Sequence, residues 1–317
     1  MKKVALLFGG YSQESVVSVK SAKTIENNLK GVDLYKVEIT KDAWTCEKEG
    51  QKVDVDKNDF SVILNGSKVQ FDFAFIMIHG TPGEDGKLAA YFDMIGMSYS
   101  SSSHIASSLS FNKAFCNKYL RSFGVRVADS QVFYRNEDWK AKTDQVNLPC
   151  FIKPNNGGSS IGTYKVTERE GVIPALESAF EHDTEVIVED FVAGREFTCG
   201  VAEVNGEVKA LQVTEIIPQT EFFDFEQKYS ANGAKEVTPA EIDKDFEEKI
   251  KSITVDVFKY LKLSNMARVD FIGDINNLYL IEVNTIPGFS GASILPQQLA
   301  AMGVDMSEFL GDMVVKA

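Results

Sequence analysis

Cysteine is sparse: Cys46, Cys116, Cys150 and Cys199 are the four in 317 residues, and no two form a C-x-x-C pair. That scatter argues against a zinc site or a disulfide framework and suits buried, reduced thiols. Positive charge is also short, with 33 lysines and arginines against 46 acids and a net charge of −13. A broad nucleic-acid surface or an anionic membrane, which reward clustered Lys and Arg, is therefore disfavoured. A small anionic ligand stays open, because one site needs only a few local cations. Long apolar runs are missing too: residues 73–78 are only strand-length and cannot span a bilayer. The apolar run at residues 4–8 is too short for a secretory signal, so a cytoplasmic location without membrane insertion is expected. Absent as well is G-x-G-x-x-G from "LFGGYSQE", which argues against a dinucleotide dehydrogenase.

What is present describes a globular chain, 44% hydrophobic and 25% charged, long enough for two or three domains. "VALLF" reads as a buried strand, and "GGYSQE" as the turn into a helix with apolar Ala22, Ile25 and Leu29. "FDFAFIMIHG" reads as a second buried strand, so the N-terminal part is expected to be a small parallel α/β unit. "SYSSSSHIASSLSFNKAFCNKYLRSFG" reads as a domain junction feeding one helix through Ile105, Leu109, Phe115 and Leu120. From Pro149 the pattern turns to strands: "CFIKP", "GTYKV", "EVIVEDF", "EFTCGVAEV" and "EVKALQVTEI", the last two joined at the hairpin signal Asn205-Gly206. A helix over about 241–261, a hairpin and a helical tail close the chain. Residues 220–240 show no clear period; a loop of that length is functional or disordered.

Two segments carry chemistry. In "ARVDFIGDINNLYLIEVN", alternation puts Arg268 and Asp270 on one face, and Glu282 and Asn284 likewise. If the strands pair around residues 275–277, the four polar groups gather on one face, with Val269, Phe271, Ile281 and Val283 on the other. Asp, Glu and Asn are hard oxygen ligands suited to Mg²⁺ on a phosphate substrate, although a half-solvated sheet with a salt bridge would use the same residues. In "IKPNNGGSSIG" the lysine precedes the glycines, opposite to a G-x-x-x-x-G-K-[ST] phosphate loop. Taken alone it is either a Gly-rich hairpin turn or a grip in which a strand lysine meets phosphate beneath a loop of N–H and hydroxyl donors.

Together Lys153 with its Gly/Ser loop, "VIVEDFVAGREF", Arg268-x-Asp270 and "EVNTIPG" resemble the ATP-grasp fold. "GGYSQE", "IHGTPGEDG", "SLSFNK", "FFDFEQKYS" and "NTIPGFSGAS" further resemble the D-alanine–D-alanine ligase family, in its order and across residues 9–293. The resemblance implies an α/β (α+β) architecture: a Rossmann-like N-terminal domain at 1–101, a central ATP-binding subdomain at 102–189 and a C-terminal ATP-grasp subdomain at 190–317. It implies an ATP-dependent ligase that joins two D-alanines through D-alanyl phosphate for peptidoglycan synthesis. Lys113 and Lys153 take phosphate-binding roles. Ser160, Glu189, Asp190, Phe191, Val192, Glu196 and Lys228 surround the nucleotide, with Glu196 on the ribose. Asp270, Glu282 and Asn284 hold two Mg²⁺ (or Mn²⁺) ions, with a monovalent cation such as K⁺ as an optional addition. Glu14 receives the first D-alanine's ammonium, with Ser159 and Tyr229 as its partners. His79 lies on the substrate side, Arg268 and the Gly288 N–H face the oxyanion, and Ser293 with the Ile294 N–H takes the second carboxylate. A homodimer is expected, and residues 220–240 become a closing lid. Tyr229 favours the dipeptide over a D-alanine–D-lactate product. Another ATP-grasp ligase using D-lactate or D-serine, and a non-catalytic nucleotide sensor, are the alternatives. Asn155, Asn156 and Gly157 stand where relatives vary.

Overall fold

The computed structural model describes residues 1–218 and 234–315. It opens with β1 (Lys3–Gly9), α1 (Ser15–Asn28) and β2 (Asp33–Ile39). β2, a strand the sequence pattern does not anticipate, pairs in parallel with β1. An antiparallel meander with no clear sequence signature follows: β3 (Trp44–Lys48), β4 (Gln51–Asp56), β5 (Ser61–Leu64) and β6 (Ser67–Val69). β7 (Phe73–Ile76), α2 (Lys87–Ile95) and β8 (Ser98–Tyr99) complete an eight-stranded sheet ordered β6-β5-β4-β3-β2-β1-β7-β8. β1 is apolar at nearly every position because helices and the C-terminal tail cover both faces. Ala22 and Ile25 of α1, and Leu29 just after its end, are buried as expected. At the end of β1, Gly10 has φ +109°, and a Cβ there would stand 2.8 Å from Ile78 Cγ2. Only glycine lets the chain leave the strand so close to its neighbour.

The expected single helix after the serine-rich stretch is two helices, α3 (His104–Phe111) and α4 (Lys113–Arg121). The break is Asn112, whose extended backbone and side-chain bond from the Phe115 N–H cap α4. Splitting the helix changes the faces: Leu120 is buried, whereas Ile105 and Phe115 are exposed.

A four-stranded antiparallel sheet follows, ordered β11-β10-β12-β9. Its strands are β9 (Ser130–Tyr134), β10 (Cys150–Pro154), β11 (Tyr164–Val166) and β12 (Glu185–Asp190), with α5 (Val172–Phe180) packed on one face. A second antiparallel sheet, β15-β14-β13-β16-β17, contains β13 (Arg195–Val204), β14 (Glu207–Ile217), β15 (Lys235–Val237), β16 (Met266–Gly273) and β17 (Leu278–Asn284). Asn205 and Gly206 both have positive φ, 53° and 79°, the geometry of a two-residue hairpin turn. β15 pairs along β14, so the expected aperiodic loop ends in an edge strand. α6 (Lys244–Tyr260) backs this sheet.

The tail forms α7 (Ile294–Ala301) and α8 (Met306–Val315). Leu295, Leu299, Phe309 and Leu310 enter the same apolar cluster as Leu6, Phe75 and Ile76, so the two ends of the chain share a core. All four cysteines are buried and free. No helix among the described residues is long and apolar enough to cross a membrane.

Candidate active site

The four- and five-stranded sheets face each other across a cavity of about 410 Å³. Strand alternation supplies its walls. On β10, Cys150 and Ile152 point into the core under α5, which turns Phe151 and Lys153 to the cavity. Val192 extends that wall, while Ile216, Ile272 and Ile281 line the opposite one. The result is a flat apolar slot with charged ends, suited to a purine base followed by phosphates. Ser160, Glu189, Asp190, Phe191 and Glu196 also line it.

At the charged end, Lys153 Nζ lies 2.6 Å from Glu189 Oε2, and Asn117 Nδ2 donates to Glu189 Oε1 at 3.0 Å. Lys113 is buried rather than solvated, with Nζ donating to the Gly157 carbonyl and standing 3.9 Å from Glu282. Burial lowers its pKa and Lys153 adds to this, against the opposing pull of Glu282 and Glu189. Two cations therefore meet acids where an anionic ligand would otherwise balance them.

Asn155 and Asn156 hold this arrangement. Asn155 is 1% exposed. Its Oδ1 accepts the Ala114 N–H at 2.9 Å, its Nδ2 donates to Glu185 at 2.7 Å, and its carbonyl accepts the Lys113 N–H at 3.1 Å. Asn156 takes the Asn112 amide at 3.0 Å. The lysine helix is thus fastened to the end of the lysine strand.

The β16–β17 hairpin brings its four polar residues onto one face: Arg268 opposes Asn284, and Asp270 opposes Glu282. A bulge then shifts the register between Asp270 and Phe271. In consequence Leu280 and Val283 are buried, whereas Ile281 turns to the cavity, not to the core side expected for it. Arg268 grips Asp270 through two bonds of 2.9 and 2.8 Å, and Thr198 and Asn284 donate to the same carboxylate at 2.5 and 3.1 Å. Burial alone would lower the Arg268 pKa; Asp270 beside it, with Glu282 and Glu84 further off, raises it, so the charge is fixed. Asp270, Glu282 and Asn284 offer two carboxylates and an amide oxygen, a hard donor set that fits a divalent cation sharing phosphate oxygens. Among the described residues no three His, Cys, Asp or Glu side chains form a protein-only metal cage.

The Gly-Gly-Ser-Ser loop reaches the other end of the site. Ser159 Oγ donates to Glu14 Oε1 at 2.5 Å, and Glu14 is buried at the residue before α1, its side chain making no capping bond to the helix. A Cβ on Gly158 would stand 2.9 Å from the same carboxylate oxygen.

His79 has both ring nitrogens engaged, Nδ1 with the Ile286 carbonyl at 2.8 Å and Nε2 with Ser21 Oγ at 3.0 Å. Burial lowers its pKa to about 4, with Arg268 adding to the fall and the Ile286 bond opposing it. A neutral ring donates from Nδ1 to Ile286, and Ser21 also takes the Phe289 N–H at 3.0 Å. His79 thus braces the loop that carries Gly288. Near that loop Ser293 stands at the N-cap position of α7 without a side-chain capping bond, its Oγ accepting the Ser290 N–H at 3.0 Å instead, and Ile294 is the first helical residue. Lys228 and Tyr229, and most of the expected lid, lie outside the described residues.

Sequence reasoning gave no role to Glu84. It is buried in "HGTPGEDG", accepts the Gly80 N–H at 2.7 Å and the Ile286 N–H at 3.4 Å, and so spans two loops. Burial, then Glu14 nearby, raises its pKa well above the ordinary carboxylate range. Thr198 was missed although it shares a strand face with Glu196, a two-residue spacing that could have found it.

A nucleotide-shaped slot between two antiparallel sheets, with a lysine on a strand beneath a Gly/Ser loop and an acid–Asn–Arg cluster opposite, defines an ATP-grasp ligase. The model of the D-ala D-ala ligase N-terminus matches residues 3–102, and that of the C-terminus matches 119–315. The chain is 40% identical to a D-alanine–D-alanine ligase of Phocaeicola vulgatus, covering 99% of this chain and 98% of the other. It is 43% identical to one of Porphyromonas gingivalis, covering 98% and 96%. Among solved structures, D-alanyl-alanine synthetase A from Vibrio cholerae superposes with a TM-score of 0.90 at 31% identity, covering 99% and 98%. A D-Ala:D-Ser ligase from Enterococcus faecalis gives 0.87 at 32%, with the same coverage. This chain belongs to the D-alanine–D-alanine ligase family.

Proposed function

We propose that the chain joins two D-alanines at the expense of ATP, by way of D-alanyl phosphate, and that the residues above divide the work. One observation carries this reading. The loop after Lys153 touches both halves of the chemistry, its Gly157 carbonyl taking Lys113 and its Ser159 hydroxyl taking Glu14. A γ-phosphate at the lysines and an amino acid at Glu14 would then meet beneath a single loop.

A carboxylate is a poor electrophile, so the first D-alanine attacks the γ-phosphorus and the bond to the β-phosphate oxygen breaks, releasing ADP. Lys113 and Lys153 hold the transferred group, and Glu14 holds the ammonium. Asp270, Glu282 and Asn284 would hold Mg²⁺ or Mn²⁺, which when bound neutralises charge on the phosphates. The neutral amine of the second D-alanine then adds to the acyl carbon. Arg268 and the Gly288 N–H stabilise the oxyanion until the carbon–oxygen bond to phosphate breaks. Ser293 and the Ile294 N–H, at the start of α7, receive the second carboxylate. Division into domains at 1–101, 102–189 and 190–317, a cytoplasmic setting and a homodimer complete the reading.

The E. faecalis neighbour acts on D-serine, so the second substrate is the point to test. ADP release is measured with D-alanine and with L-alanine, and products from mixtures with D-serine or D-lactate are identified by mass. The reading expects D-alanyl-D-alanine and no turnover of L-alanine. Predominant mixed products would move the chain to another branch. ADP release independent of any D-amino acid would refute ligation.

A further inference from the structure

Gln298 is fully buried although its neighbour Gln297 is not. It sits in α7, just over one turn beyond Ser293, against the middle of the five-stranded sheet. Its Oε1 accepts the Gly200 N–H at 2.9 Å, and its Nε2 donates to the Thr198 carbonyl at 3.1 Å and to Thr214 Oγ1 at 2.9 Å. Those bonds fall where the β13–β14 register shifts between Cys199 and Val201. The sheet has made room for the amide. A Cβ at Gly200 would stand 2.6 Å from Gln298 Oε1 and 2.6 Å from Leu295 Cδ1.

The same strand leads directly to the chemistry. Thr198, whose carbonyl takes Gln298, donates its hydroxyl to Asp270 Oδ1 at 2.5 Å, and Asp270 is the carboxylate gripped by Arg268. Hydrogen bonds on the carbonyl and on the hydroxyl of one residue, Thr198, thus link the interior of α7 to Asp270 and through it to the oxyanion arginine.

An apolar side chain would fill this space without burying an amide whose every bond must be met. Apolar contact is non-directional and leaves a helix able to slide along a sheet, whereas three bonds to fixed backbone and hydroxyl groups define its position. We propose that Gln298 is a positioning residue that sets the length of the second-substrate slot, by fixing the start of α7 relative to Arg268. The proposal rests on the assignment of Ser293 and the Ile294 N–H to the second carboxylate. The second D-alanine spans the two ends, its amine at the acyl carbon beside Arg268 and its carboxylate at α7. Movement of α7 therefore changes second-substrate binding while the first D-alanine and ATP, held by other elements, are unaffected.

The test is Gln298→Met, which keeps length and approximate volume but makes none of the three bonds, alongside Thr214→Val, which removes one of them together with the Thr214–Thr238 hydroxyl bond. Initial rates of dipeptide formation over a wide D-alanine range are resolved into KM values for the first and second sites, with the ATP KM measured separately. Dipeptide formation by the parent establishes the underlying reading; its absence would defeat that reading independently of any variant. The expected result is a rise of about tenfold or more in the second-site KM for Gln298→Met and a smaller rise for Thr214→Val. First-site and ATP KM values should stay within about twofold. An unchanged second-site KM in folded Gln298→Met, or first- and second-site values rising together, overturns the proposal. If Gln298→Met does not fold, Thr214→Val decides by the same criterion.

Discussion

His79→Gln separates the bracing role of the side chain from its titration. The imidazole is buried, donates to the Ile286 carbonyl and takes the Ser21 hydroxyl, and its pKa falls from 6.5 to about 4. The folded state therefore binds a proton less readily than the unfolded chain. Stability from this group is complete above the unfolded value of 6.5 and is lost as the pH falls from there towards 4. The full shift is equivalent to about 3 kcal/mol, of which roughly 2 kcal/mol is lost between pH 7 and pH 5. Glutamine can donate to Ile286 and accept from Ser21 but cannot be protonated, so the variant should lack this increment. Its cost at pH 7.5 should be only about 1–2 kcal/mol, from imperfect bond geometry. Urea unfolding of parent and variant at pH 5 and pH 7.5 gives the comparison, because carboxylate titrations elsewhere are common to both. Equal losses of stability on acidification would mean that the imidazole is protonated within the fold, and the argument from burial would fail.

On the proposed metal role, Glu282→Gln should preserve the fold and lower turnover by a factor of several hundred or more, since a neutral amide cannot balance the charge of a divalent cation. A loss of less than about tenfold, measured by coupled ADP release, would remove Glu282 from the metal set. Asn155→Ala should cost about 3 kcal/mol in urea unfolding, because it deletes a bond to the Glu185 carboxylate and strands the buried Ala114 N–H. It should also raise the ATP KM by loosening Lys113. Wild-type values for both would show that the lysine is held by other contacts.

Much of the site was legible because it lies on regular elements. Strand alternation put Arg268 with Asp270 and Glu282 with Asn284, and the expected hairpin pairing brings the four onto one face. Apolar spacing found the buried positions of α1, and Asn205-Gly206 located the β13–β14 turn. Pairing of Ser159 with Glu14, drawn from family resemblance and not from spacing, is also present in the structure. Local pattern failed where one residue outweighed the period. Asn112 divided a helix through its own capping bond, and the bulge after Asp270 sent Ile281 to the opposite side from that of alternation.

Other features depended on contacts between segments far apart in the chain, which no local window contains. Lys113, given its phosphate-binding role by the resemblance alone, is buried beside Glu282 of the five-stranded sheet. His79, which the resemblance put on the substrate side, meets partners on α1 and on the loop before α7 with its two ring nitrogens. Asn155 seemed incidental until it linked a helix, a strand and Glu185. By itself the sequence determined the strands, the turns and the kinds of side chain each face could present, because those follow from backbone period and side-chain chemistry. Only the tertiary structure decided which polar groups are buried together, since burial and pairing depend on what the rest of the chain brings against them.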